Sequence, residues 1–155
     1  MAADPLTMTD PKRIKILMQN AIARGEDGLA RLCMRRIFEL GGADQTDKLS
    51  QRLWQVVTAY EEILRIKHGR AQRATKMRKQ IEAKGAVAAL TALAMDKDVT
   101  PGFVAAIETG MAEFTGEYVI LEYANRFDDA AVQAARSRLE GFEIALPRTW
   151  RSRLT

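Results

Sequence analysis

The stretch "LSQRLWQVVTAYEEILRI", residues 49–66, repeats apolar side chains at intervals of four and three residues. This heptad-like spacing lines up apolar groups along one face of an α-helix. The members are Leu49, Leu53, Val56, Tyr60, Ile63 and Ile66. The rhythm continues through Arg70, Ala74 and Met77 to Ile81, so the pattern predicts one long helix over residues 46–84, with Arg70 inside its apolar stripe. Gly69 is the point where this helix could break or kink, because glycine costs about 1 kcal/mol in a helix interior.

Helical patterns also occupy the rest of the chain. Asp10-Pro11 and Thr100-Pro101 each read as an N-cap followed by the first helical residue. We expect helices over residues 11–24, 29–40, 87–95, 101–123 and 128–141, with "YVILEY", residues 118–123, as a strand in the rival interpretation. Together the patterns predict an all-α protein, a single bundle of about six helices with the 46–84 helix at its centre.

The length of 155 residues and the hydrophobic content of 47% fit one globular domain over residues 1–155. We expect residues 1–9 and 143–155 to be flexible tails, in which Trp150 and Leu154 either dock on the body or fray. Cys33 lies among apolar neighbours, and as the single cysteine it cannot form an internal disulfide, which favours a reducing compartment. No apolar run approaches the roughly 18 residues of a membrane span, so the expected location is cytoplasmic, with no membrane partner.

Charge is distributed unevenly along the chain. Residues 63–85 carry eight basic residues against Glu82 alone, whereas residues 86–142 carry four basic residues against nine acidic ones. The basic block lies at the end of the predicted long helix. Either it faces a partner, or the acidic 86–142 region neutralises it within the molecule.

The candidate functional site is the stretch "RIKHGRAQRATKMRKQ", residues 65–80, which contains no acid. Charges scattered around a helix suit phosphate contacts, because such contacts require no base-edge geometry. The predicted nucleic-acid-binding residues are Arg65, Lys67, Arg70, Arg73, Lys76, Arg78 and Lys79. Further basic contacts are expected if the fold gathers them on the same face, from Arg31, Arg35, Arg36, Arg148, Arg151 and Arg153.

Signals for catalysis are sparse. His68 is the only histidine, and the chain has no paired Cys/His spacing, no P-loop and no G-x-G-x-x-G. Four glutamates punctuate residues 108–122 (Glu108, Glu113, Glu117 and Glu122), and a solvated acidic face explains them better than a metal site. We therefore predict a non-enzymatic protein with no catalytic residue, metal ligand or cofactor.

One segment resembles a known class. "LAMDKDVTPGFVAAIETG", residues 93–110, is similar to the second and third helices of a Cro/repressor-like helix-turn-helix, and the basic helix ending at Lys84-Gly85 resembles its first helix. The resemblance covers residues 84–110 and implies DNA binding. Two features depart from the class. The link from Gly85 to Leu93 is about two residues too long, and the residues expected to read bases (Gly102, Phe103 and Ala106) offer no polar groups.

The leading hypothesis is a small nucleic-acid-binding or nucleic-acid-associated regulatory protein that uses residues 65–79 for phosphate contacts. The alternative is a helical protein–protein interaction or adaptor module. Such a module would self-associate through its Met- and Leu-rich stripes as a homo-oligomer, or dock on an acidic protein partner.

Overall fold

The structure is a computed structural model that describes residues 4–71 and 73–151, and the regular secondary structure of these residues consists of helices. Within these residues there is no β-strand, so the all-α prediction is confirmed and the strand interpretation of "YVILEY" is wrong. The α-helices are α1 (Pro11–Ala23), α2 (Asp27–Leu40), α3 (Lys48–His68), α4 (Thr75–Lys84), α5 (Ala86–Met95), α6 (Pro101–Glu108), α7 (Gly116–Glu122), α8 (Asp129–Gly141) and α9 (Arg148–Arg151). Short 3-10 turns cover Pro5–Thr7, Ala112–Phe114 and Ala124–Arg126. The expected number of about six helices was too low, because two predicted helices are interrupted and α9 lies in the expected C-terminal tail.

The first interruption is at Gly69, which ends α3. Gly69 adopts φ +71°, and its N–H donates to the Arg65 carbonyl oxygen at 2.8 Å. A left-handed residue that closes the last turn in this way is a common helix end, and glycine adopts it without steric cost. The prediction of one continuous helix over 46–84 is therefore wrong beyond His68. Arg70 lies exposed in the connection to α4, outside any apolar stripe.

The second interruption divides the predicted 101–123 helix into α6, a 3-10 turn and α7. Gly110 has φ +73° just after α6, and the Thr115 hydroxyl accepts a hydrogen bond from the Tyr118 N–H at 3.3 Å, which caps α7. The backbone at Gly116 approaches α5 so closely that a Cβ there would lie 2.2 Å from Leu93 Cδ2. The apolar side chains that suggested one helix over 101–123 come from separate short elements and pack in two different apolar clusters: Ile107 and Leu121 in one, Met111 and Phe114 in the other.

Two apolar clusters form the core, and α3 contributes to both. Leu49, Leu53, Val56 and Tyr60 pack in the first cluster, with side chains of α5, α7 and α8. Ala59 and Ile63 pack in the second, with side chains of α1, α2 and α6. The heptad-like stripe from Leu49 to Ile63 is thus buried within the chain itself, whereas its last member, Ile66, is 40% exposed.

The segments at either end of the described chain are packed on the body. Pro5 is buried, and the Met8 carbonyl oxygen accepts a hydrogen bond from Arg36 Nε at 2.9 Å. Trp150 packs against the first core cluster, whereas Leu154 lies outside the described residues. Among the helices described, none combines the length and apolar character that crossing a bilayer would require.

Candidate functional site: a basic corner and the cavity beside it

The stretch 65–80 is split between the end of α3, the connection after Gly69 and α4. Because of this bend, its seven cations do not share one helix surface. They fall into two groups, two arginines held by carboxylates and five cations that face solvent.

The two held arginines pair with adjacent glutamates of α3. Arg65 donates to Glu62 with a shortest distance of 2.9 Å, one helical turn away. Arg78 reaches back from α4 and donates to both oxygens of Glu61, at 2.7 and 2.8 Å. Its guanidinium also lies over the Trp54 ring, 5.2 Å from the centroid, a distance typical of cation–π contacts. These contacts fasten α4 to α3.

Glu61 is the anchor of this junction. Burial alone would raise its pKa, but hydrogen bonds from Arg78 and from the Ala74 N–H, with the charges of Arg78 and Arg73, outweigh burial and hold the pKa below its usual value. The same hydrogen bond raises the pKa of Arg78. Glu61 therefore stays ionised, and its charge is committed to the junction.

The other five cations are exposed and form a surface that we name the basic corner: Lys67, Arg70, Arg73, Lys76 and Lys79. Within residues 4–71 and 73–151, none of them has an ion-pair partner. Arg73 contributes at longer range to the stabilisation of ionised Glu61. The basic corner thus keeps most of the predicted positive charge available to solvent.

The acidic 86–142 region does not neutralise the basic corner through ion pairs in the described part of the chain. Its carboxylates pair with other arginines: Glu113 with Arg35, Glu122 with Arg52, Glu117 with Arg138 and Glu140 with Arg136. Three of the four glutamates predicted to form a solvated face are therefore engaged, and Glu117 is only 1% exposed. A solvated acidic face was the wrong interpretation for these three, because each meets an arginine from another helix.

The additional arginines are dispersed over other helices. Arg31 is exposed, whereas Arg35 and Arg36 are half-buried in contacts with Glu113 and the Met8 carbonyl. Arg148 is exposed on α9, which packs against α7. The described structure does not cover the Arg151 side chain or Arg153. None of these arginines lies on α3 or α4.

The segment that resembles a helix-turn-helix forms α5 and α6. Gly102, Phe103 and Ala106, which the resemblance places on the reading face, are buried, and Phe103 and Ala106 are 0% exposed. α6 packs against α3, and a Cβ at Gly102 would lie 2.5 Å from Tyr60 Cγ. This face of α6 is therefore covered by the protein's own core.

A cavity of about 330 Å³ lies beside the basic corner, and we name it the corner cavity. Its buried lining residues are Tyr60, Ala89 and Gly102, and partly buried Leu64, Met77 and Leu93 extend its walls. Arg73 and Lys76 also line it and are exposed. A further cleft of about 340 Å³ is lined by Glu61, Glu62, Arg65, Ala71, Arg73 and Arg78, so Arg73 borders both spaces.

A buried polar group beneath the cavity was not found by sequence reasoning. Arg138 Nη1 donates to Glu117 Oε2 at 2.8 Å and to the Leu93 carbonyl at 3.2 Å, and Nη2 donates to the Asp96 carbonyl. Burial raises the pKa of Glu117, which Arg138 offsets in part. The Tyr60 hydroxyl lies near the Gly116 N–H and Thr100 but makes no hydrogen bond of ordinary geometry, and burial raises its pKa. The sequence did contain a signal for its burial: Ile120 and Leu121 follow Glu117 by three and four residues, which places Glu117 on the apolar face of a helix.

No family model, curated protein or solved structure matches this chain. The geometry and charge of the molecule itself are therefore the basis for inferring its function.

Proposed function

We propose that this protein is a small, non-enzymatic, nucleic-acid-associated regulator that holds the phosphate backbone with its basic corner. The observation that carries the proposal is the exposure of five cations without ion-pair partners in the described chain, at a bend between two helices. Arg65 and Arg78 leave the set of phosphate contacts, because Glu62 and Glu61 already occupy them.

The composition of the surface favours backbone contacts over base reading. Lys67, Lys76 and Lys79 are flexible point charges, which suit phosphate oxygens and carry no sequence information. The Trp54 ring, which contacts Arg78, is already covered by that guanidinium and offers no stacking platform. We therefore propose binding with little sequence preference. A base-reading role for α6, implied by the helix-turn-helix resemblance, would require Phe103 to leave the core.

The test is a titration of generic duplex DNA across a salt series. Each engaged cation releases condensed counterions, so log K falls with log salt by about 0.9 per contact. With four or five contacts, the slope is expected at roughly −4.

Variants separate the two groups of cations. Lys79→Gln should lower the magnitude of the slope by about one unit, uniformly across DNA sequences. Lys48→Gln is the matched control, because Lys48 is exposed at the opposite end of α3. Arg65→Gln should change the slope by much less than Lys79→Gln. A slope near zero in the wild type, or equal effects of Lys48→Gln and Lys79→Gln, would refute the proposal.

A protein-interaction module is the second candidate, favoured by exposed apolar side chains on α1 and α2. Ile16, Ile22 and Leu32 are 59%, 53% and 44% exposed. Sedimentation velocity at increasing protein concentration tests self-association, and Ile16→Gln with Leu32→Gln should reduce it. A monomer at all concentrations, combined with a steep salt slope on DNA, would leave only the nucleic-acid proposal.

A further inference from the structure

We propose that the corner cavity binds a small amphiphile with one anionic head group. The apolar body would enter between α3, α4, α5 and α6, and the head group would lie between Arg73 and Lys76. In this way the protein would couple an acidic lipid-like metabolite to its phosphate-binding surface.

The inner part of the corner cavity suits an apolar body. Its walls are supplied by Leu64, Met77, Ala89, Leu93 and Tyr60. The volume of about 330 Å³ is at the lower end of the range of small-molecule sites, which is roughly 300–1,000 Å³. Such a space favours a short chain or a small ring system.

The charge at the mouth selects the head group. Arg73 and Lys76 line the opening, and in the described chain neither has an ion-pair partner. Asp96 is the one acidic lining residue, and its carboxylate accepts a hydrogen bond from the Asp98 N–H. Two cations against one carboxylate favour an anionic head over a neutral or cationic one.

The same two cations belong to the basic corner, so the site would have a regulatory consequence that rests on the proposed function. A head group that engages Arg73 and Lys76 withdraws them from phosphate. The slope of log K for DNA against log salt should then fall in magnitude by about one to two units.

The first experiment measures binding of decanoate by isothermal titration calorimetry on the full chain, without nucleic acid. Decan-1-ol and decyltrimethylammonium have the same chain with neutral and cationic head groups. Decanoate is expected to bind at least roughly fivefold more tightly than either, because two cations face its head group. The double variant Arg73→Gln with Lys76→Gln should abolish that preference, whereas Lys79→Gln, outside the lining, should preserve it.

A second variant tests the location of the apolar body. Ala92 is exposed and lines the cavity, so Ala92→Phe should fill the opening and abolish binding. Ala130→Phe is the matched control, at an exposed position of α8 away from the lining. Should Ala92→Phe fail to fold, the head-group series on the wild type decides alone.

Equal affinity for decanoate and decan-1-ol, or no binding of any of the three, would overturn the site. So would unchanged decanoate binding in folded Ala92→Phe. The DNA titration is then repeated with saturating decanoate. Decanoate binding without any DNA binding would refute the proposed function and support the corner cavity as an amphiphile site. DNA binding without decanoate binding would refute the amphiphile site and support the proposed function.

Discussion

Replacing Arg138 by Met should destabilise the protein strongly, because it leaves Glu117 as an isolated buried carboxylate. Glu117 is 1% exposed, and its Oε1 already has no hydrogen-bond partner in the described structure. The variant also releases the carbonyl oxygens of Leu93 and Asp96, which Arg138 holds at the end of α5.

The expected magnitude follows from these contacts. Breaking a buried ion pair by removing one partner costs roughly 3–5 kcal/mol. The two freed carbonyl oxygens add little, because Leu93 is only partly buried and Asp96 is exposed, so water can replace the lost donor. We expect a loss of about 4 kcal/mol at pH 7. For a chain of this length that lowers Tm by roughly 10 °C.

A double-mutant cycle isolates the pair. Arg138→Met with Glu117→Met removes both charges and keeps unbranched side chains of similar length. The double variant should be more stable than Arg138→Met alone, because no buried charge remains, with a coupling of roughly 2 kcal/mol. Urea denaturation followed by circular dichroism measures all four proteins.

The pH dependence gives a second check, with a defined sign. Burial raises the pKa of Glu117 above its value in the unfolded chain, so the folded state binds the proton more tightly. Stability from this group is therefore largest below the unfolded pKa and is lost as pH rises through the folded pKa. The defect of Arg138→Met should shrink on acidification toward pH 4. Additive losses in the cycle, or a defect independent of pH, would refute this reasoning.

Three further predictions concern packing and the α3–α4 junction. Gly42→Ala should destabilise the protein by roughly 2 kcal/mol or more, because the added Cβ would lie 2.1 Å from the Gln51 carbonyl oxygen. Denaturation midpoints would measure the loss, and an unchanged midpoint would contradict the close approach of the Gly42 and Gln51 backbones. Gly28→Ala should stabilise by about 0.5–1 kcal/mol in the same assay, since Gly28 is helical with open space around it, and a loss would contradict that assignment. Arg78→Gln should raise the pKa of Glu61, which NMR titration would measure. Because the wild-type pKa is depressed, the stability lost in the variant should be largest above pH 5 and should vanish as pH falls through the folded pKa of Glu61. An unchanged pKa of Glu61 would contradict the ion pair with Arg78.

The helical class and most helix starts could be predicted from sequence, because they depend on local chemistry. The Asp10 side chain accepts from the Lys12 N–H at 3.0 Å, and the Thr100 hydroxyl accepts from the Phe103 N–H at 3.1 Å, as expected of N-caps. Cys33 is buried, as its apolar neighbours predict, and burial raises the pKa of its thiol. Each of these depends on a few residues adjacent in the chain.

The continuity of helices was harder to predict, because apolar periodicity does not record where the backbone turns. Ala74, Met77 and Ile81 keep the rhythm of α3, yet they reach the core from α4 and the residue before it, after the chain has bent at Gly69. The intervals were preserved because both helices turn apolar groups to the same cluster. Gly69 therefore indicated the end of α3 better than the heptad-like pattern around it did.

Whether a cation is exposed or held in an ion pair depends on the tertiary structure. The candidate site in the basic stretch could therefore be predicted only in part. Arg73 and Arg78 lie in the same basic stretch, yet Arg78 is bound by Glu61 and Arg73 is exposed between two open spaces. The bend at Gly69 produces this difference, because it brings one side of α4 back to the α3 carboxylates and leaves the other side to solvent. Glu61, which fastens α4, therefore determines which of these two arginines is held in an ion pair, and Arg73, which remains exposed, also lines the corner cavity.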